Sequence, residues 1–143
     1  MQTTVSGLLE AKPTGVFTVD ADDAVRTAIM RMAEHHVGAL PVLRGGELVG
    51  VISERDYARK VVLMGRSSAD TPVSQIMSSP VVTVSPDKTI EHCMRLFTDR
   101  RIRHLPVVRD GALIGMVSIG DCVRALLEAQ RQEIDELRRY IST

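Results

Sequence analysis

Two stretches decide the fold: "VGALPVLRGGELVGVISERDY" (37–57) and "IRHLPVVRDGALIGMVSIGDC" (102–122). Laid over each other without gaps, they bring together Leu40/Leu105, Pro41/Pro106, Val42/Val107, Arg44/Arg109, Gly46/Gly111, Leu48/Leu113, Gly50/Gly115, Ser53/Ser118 and Asp56/Asp121. The offset is a constant 65 residues, as from Pro41 to Pro106, and it runs back through Val16/Val81, Thr18/Thr83, Val19/Val84 and Asp22/Asp87. The lead-ins "VSGLL" (5–9) and "VSQIM" (73–77) match loosely. A chain that repeats itself repeats a supersecondary unit. We therefore divide it into copy one (5–64), copy two (65–127) and a tail (123–141) that continues from copy two.

Each copy has the same grammar. "VFTV" and "VVTV" are short β-branched runs. Val25, Ala28, Ile29 and Met32, like Ile90, Cys93, Met94 and Phe97, recur at helical spacing. Acidic and hydroxylated residues, with Pro86 just ahead, suit helix starts. "ALPVL" and "HLPVV" read as strands whose prolines imply an edge or an opening position. "RGGE" and "RDGA" are hairpin turns. "LVGVIS" and "LIGMVS" are return strands, each ending in Ser-x-x-Asp, which opens another helix. The expectation is an α+β fold of two β-α-β-β-α units packed with pseudo-twofold symmetry, plus a C-terminal helix. A small sheet with helices on one face leaves its other face apolar, and a second copy can cover it.

Composition excludes several classes of function. The 143 residues carry 18 Lys and Arg against 18 Asp and Glu, so there is no net charge to drive generic nucleic-acid or anionic-membrane binding. No run is long enough to span a bilayer, and Met1-Gln2-Thr3-Thr4 lacks the layout of a signal peptide. A cytoplasmic protein is expected. With no Trp and two Phe, the chain offers no stacking platform for single strands. Cys93 and Cys122 lack metal-ligand spacing and read as small buried hydrophobes in a reducing compartment. The scattered carboxylates Glu10, Asp20, Glu34, Glu47 and Asp70 form no acid/base pair, and "LRGGELVG" lacks the spacing of a phosphate loop. No enzyme is expected.

Ser53-Glu54-Arg55-Asp56 and Ser118-Ile119-Gly120-Asp121 admit two readings. In one, serine caps the helix and aspartate reaches back to the cap amide. In the other, the helix N-terminus and serine hold a phosphate while the carboxylate accepts the two hydroxyls of a ribose. A second puzzle is "RIRHLPVV" (101–108), where cationic residues stand at the mouth of an apolar strand and call for water or an anion.

The repeat resembles the CBS domain family, as a tandem pair (a Bateman module), over residues 5–127. "TV" near each first strand, "ALPV" and "HLPV", "LVGVIS" and "LIGMVS", and the two Ser-x-x-Asp motifs carry the resemblance. It implies a regulatory module that binds AMP, ADP or ATP, with NAD or S-adenosylmethionine as ligands in some members. It also implies two clefts, each built from both copies. The first would use Asp56 for ribose and Ser53 for phosphate, with backbone from Val51, Ile52, Ser53, Glu54 and Arg55. Val82 would lie on the adenine, and Gly38, Arg103, His104 and Gly120 along the phosphate. The second would use Asp121, Ser118 and the backbone of Met116, Val117, Ser118, Ile119 and Gly120. Phe17 would lie near its base, and Gly38, Ala39, Arg55 and Arg103 around its phosphate. Arg103 and His104 favour the first cleft for a charged nucleotide, and Arg101 falls outside the matched positions. The alternative is a protein-interaction module without nucleotide binding, its Ser-x-x-Asp motifs serving only as caps.

In the tail, Val123, Leu127, Gln130, Ile134, Leu137 and Ile141 are spaced 4-3-4-3-4, a heptad seam with one Gln. A homodimer contact is expected. With the chain accounted for by repeats and tail, the output is expected to pass through an unidentified effector protein or the dimer.

Overall fold

The computed structural model describes residues 3–12 and 15–142; Met1 and Gln2, part of the signal-peptide reading, lie outside it. The chain forms two compact units, Val16–Val82 and the combination of Met1–Gly15 with Thr83–Thr143.

In the first unit, β1 (Val19–Asp20) pairs in parallel with β2 (Ala39–Arg44), which pairs antiparallel with β3 (Glu47–Ser53). Between them α2 (Val25–His35) turns Val25, Ala28 and Met32 inward, the i, i+3, i+7 spacing of one helix face. These pack on Val19, Leu40, Val42 and Ile52. The helix stops at His36, in the left-handed region at φ 55°. After β3 comes α3 (Glu54–Tyr57), which runs on into a π turn over Ala58–Val62.

The second unit repeats this order. Helix α4 (Ile90–Arg100) is capped by the Thr89 hydroxyl, which accepts from the His92 amide at 3.2 Å, and ends at Arg101, φ 54°. Strands β4 (His104–Arg109) and β5 (Ala112–Ser118) form a hairpin, and α5 (Ile119–Ser142) follows. Both hairpin turns place two successive residues at positive φ: Gly45 and Gly46 at 57° and 82°, Asp110 and Gly111 at 50° and 81°. That is the primed turn whose twist matches paired strands.

Three features differ from the sequence expectation. The first strands are short: β1 has two residues, and "VVTV" is reduced to one bridge between Val84 and Val107. Proline does not mark an edge in the first unit, because β2 is the middle strand. Pro41 is tolerated there because its partner Val51 turns both backbone groups outward to Ser78, at 3.2 and 2.8 Å, so no bond crosses the pair.

The third difference concerns the units, which are divided elsewhere than the copies. The lead-in of copy one forms α1 (Val5–Ala11) and belongs to the second unit, where Val5 and Ser6 amides donate to Lys88 and Pro86 carbonyls at 2.8 and 2.9 Å. The lead-in of copy two belongs to the first unit, where Val73 and Ser74 amides donate to Asp23 and Ala21 carbonyls at 2.8 and 2.9 Å. A glycine on each return strand lets the lead-in lie close. A Cβ on Gly50 would stand 2.7 Å from Met77 Sδ, and one on Gly115 2.6 Å from Leu9 Cδ2. Each return strand thus keeps a slot for the lead-in that covers it.

Cys93 and Cys122 are free and fully buried in the second unit, on α4 and α5. A hydrogen bond with Cys93 and burial push the Cys122 thiol up, so it stays protonated.

Candidate functional site

In the first unit, β3 delivers Ser53 to the start of α3. The Ser53 hydroxyl accepts from the Asp56 amide at 3.2 Å and donates to Asp56 Oδ2 at 3.0 Å. The Ser53 amide donates to the same oxygen at 3.0 Å. This is a reciprocal capping box. Only Oδ2 takes part in it. Oδ1 of the buried Asp56 faces Lys60 Nζ at 3.1 Å, and Nζ also donates to the Ile76 carbonyl at 2.9 Å.

Around that terminus, the Glu54 amide donates to the Gly38 carbonyl at 3.0 Å, and Ala39 pairs with Ser53. Gly38, Ala39 and the helix start are therefore held together. Ile52 is fully buried in the core, and both backbone groups of Val51 are engaged by Ser78. The Ile52 side chain and the Val51 main chain are thus already engaged, whereas the Val51 side chain is half-buried. Phe17 stacks on His35, with ring centroids 3.6 Å apart and planes 7° from parallel. Glu54 and Arg55 are exposed, and Val82 is half-buried outside any strand.

The second unit builds the same terminus in different electrostatic surroundings. The Ser118 amide donates to Asp121 Oδ2 at 2.9 Å, and the Asp121 amide donates to Ser118 Oγ at 3.1 Å. Here the second carboxylate oxygen is already paired: Arg124 Nη2 stands 2.7 Å from Oδ1. Lys12 Nζ, from the end of the α1 lead-in, donates to Oδ2 at 2.7 Å and to the Met116 carbonyl at 3.0 Å. Burial alone would raise the Asp121 carboxyl, but hydrogen bonds from Lys12 and Ser118 and the Lys12 charge outweigh it. The group is held below its ordinary value and stays charged.

The Arg103 carbonyl accepts from the Ile119 amide at 2.9 Å, and His104 pairs with Ser118. Arg103 is exposed and His104 half-buried. Val117 is a core residue, whereas Ile119 and Gly120 are half-buried at the first turn of α5. A Cβ on Gly120 would meet only ordinary contacts, so this glycine is not required by packing.

Lys12 and Lys60 are absent from the sequence-based site. Lys60 stands four residues after Asp56 and was legible as an i,i+4 partner. Lys12 is 109 residues from Asp121, and no spacing points to it. Among the described residues, no cluster of His, Cys, Asp or Glu could hold a metal ion, and no helix is long and apolar enough to cross a membrane.

Comparison with known proteins adds context. The family model described as "CBS domain" matches residues 13–63 and 73–128. The CBS domain-containing protein CBSX3, mitochondrial, of Arabidopsis thaliana is 43% identical over 97% of this chain and 72% of its own length. A solved structure described as a putative signal-transduction protein with CBS domains, from Burkholderia ambifaria, is 48% identical. It covers 90% of this chain and 96% of its own, with a TM-score of 0.85. The CBS domain pair of protein MJ0100, solved in complex with 5-methylthioadenosine and S-adenosyl-L-methionine, is 25% identical. It covers 90% of this chain and 99% of its own, with a TM-score of 0.79.

Proposed function

The chain belongs to the CBS-domain family and carries two copies of the domain, and on that premise we propose that it is a regulatory module, without catalysis of its own, that binds an adenosine-containing ligand. One observation carries the reading. The cap in the first unit uses only Oδ2 of Asp56, leaving Oδ1 against a single lysine side chain that is 44% exposed. A ribose hydroxyl can donate to that oxygen with the cap intact, and Lys60 can swing aside into water. At Asp121, a ribose must compete with Arg124 for Oδ1 and with Lys12 for Oδ2. We therefore place the stronger ribose site at Asp56.

The ligands in the MJ0100 complex share an adenosine moiety, which supports the class. AMP, ADP or ATP is the favoured form, with NAD as the next. A phosphate placed at the start of α3 or α5 gains from the positive end of the helix dipole, and Arg103 and His104 supply cationic and hydrogen-bonding capacity at the strand mouth. Ligand binding passes to an effector protein, or to a second copy of the chain, by preferring one of two states. Two free buried thiols suit a reducing compartment such as the cytoplasm.

The second reading, an interaction module whose motifs only cap helices, is favoured by the reciprocal cap bonds at both Ser-x-x-Asp motifs. Calorimetric titration of AMP, ATP, NAD and adenosine into wild type, Asp56→Ala and Arg103→Ala separates the two. The expected result is an affinity lost by roughly ten- to a hundredfold in Asp56→Ala, as for a hydrogen bond to a charged group. Arg103→Ala should weaken AMP and ATP far more than adenosine. No heat with any of the four ligands would leave the capping reading standing alone.

A further inference from the structure

From Gln130 to Ser142 every residue of α5 is exposed, about 20 Å of helix. A helix of that length is marginal in water without a packed face. It nevertheless carries an apolar seam: Val123, Leu127, Ile134, Leu137 and Ile141 are each 40% exposed or more. The spacing assigns Leu127, Ile134 and Ile141 to position a of a heptad and Val123, Gln130 and Leu137 to position d.

The flanking charges choose the occupant. Every e position is arginine (Arg124, Arg131, Arg138), and the central g position is Glu133. We propose that α5 pairs with α5 of a second copy of this chain as a parallel, in-register, two-stranded coiled coil. In that arrangement each g residue faces the e residue five positions later on the other helix. Glu133 then meets Arg138 of the second copy, twice by symmetry. In the antiparallel arrangement e faces e, and arginine meets arginine in every register. Ile134 and Ile141 at a with Leu137 at d favour two strands, and a polar Gln130 at d pairs with its own copy only in register. The inference stands on α5 alone and does not depend on what the Ser-x-x-Asp sites bind.

Sedimentation equilibrium of the full chain tests it. Wild type should be a dimer and Ile134→Asp a monomer that keeps the cooperative unfolding of the two units and loses at most the helical signal of Gln130–Ser142. Glu133→Arg and Arg138→Glu should each weaken the dimer by roughly tenfold, through two lost attractions and two new repulsions. The double variant Glu133→Arg/Arg138→Glu should return to near wild type. The sign for Arg138→Glu is decisive, because an antiparallel pair that sets position 138 against Arg124 or Arg131 of the second copy would tighten, and one that sets it against its own copy would change little. Ile141→Cys should give an intermolecular disulfide with oxidised glutathione, each bond releasing two reduced glutathiones, where wild type gives none. A monomeric wild type, a dimer that survives Ile134→Asp, a tighter or unchanged Arg138→Glu dimer, or no Ile141→Cys cross-link overturns the proposal.

Discussion

Replacing Lys12 by alanine removes the ammonium from Asp121 and from the Met116 carbonyl at once. The Asp121 side chain is 9% exposed and that of Lys12 34%. Breaking a fully buried pair costs ~3–5 kcal/mol, whereas an exposed pair contributes ~0–1 kcal/mol. Lysine here is one-third in water, and the Ser118 amide and Arg124 remain on the carboxylate, so the loss should be about 1–2 kcal/mol at neutral pH. Its pH dependence has a definite sign. The folded-state carboxyl lies below its unfolded value, so it contributes stability above the unfolded value of ~3.9 and loses it as pH falls through the folded value. Without Lys12, the burial that raises this carboxyl is opposed less, and protonation starts at higher pH. Urea unfolding followed by circular dichroism at pH 7, 5, 4 and 3 should show the difference between wild type and Lys12→Ala greatest at pH 7 and shrinking towards pH 3. Arg124→Ala, whose side chain is 73% exposed, should lose at most ~0.5 kcal/mol. A Lys12→Ala deficit that is the same at every pH would refute the electrostatic argument and assign the lysine a packing role through its stem.

Two further substitutions probe the fold. Gly115→Ala should cost about 1 kcal/mol, because its Cβ meets only the ends of Leu9, whereas Gly50→Ala should cost ~2–3 kcal/mol, because its Cβ also meets the Ser78 carbonyl at 2.9 Å. The reverse order of urea midpoints would contradict the slot assignment. Arg101→Gly should stabilise the chain by ~0.5–1 kcal/mol, since an exposed arginine holds φ 54° at a helix end where glycine is unstrained; a lowered thermal midpoint would mean that the arginine side chain makes a compensating contact.

Much of this fold is legible in the amino-acid sequence. A 65-residue offset aligns prolines, turn glycines and strand glycines, and the same helix ends, hairpin turns and register shifts recur at that offset. These features are local, set by periodicity over a few residues and by backbone dihedrals that only certain residues favour. The same holds for the capping boxes, whose two ends are three residues apart, and for Lys60, four residues beyond Asp56.

Three things were decided only by the tertiary structure. The lead-ins dock on the opposite copy's core, although each looks like the natural start of its own copy. Pro41 stands in a middle strand because Val51 turns its bonds away from it. And the two Ser-x-x-Asp sites, equal in sequence, are unequal in charge, because Asp121 receives a lysine from 109 residues away while Asp56 has one from the next helical turn. Local rules fix a residue's conformation over three or four positions. Which charge neutralises a buried carboxylate is settled only when distant segments pack, because that energy depends on separation through space and on exclusion of water.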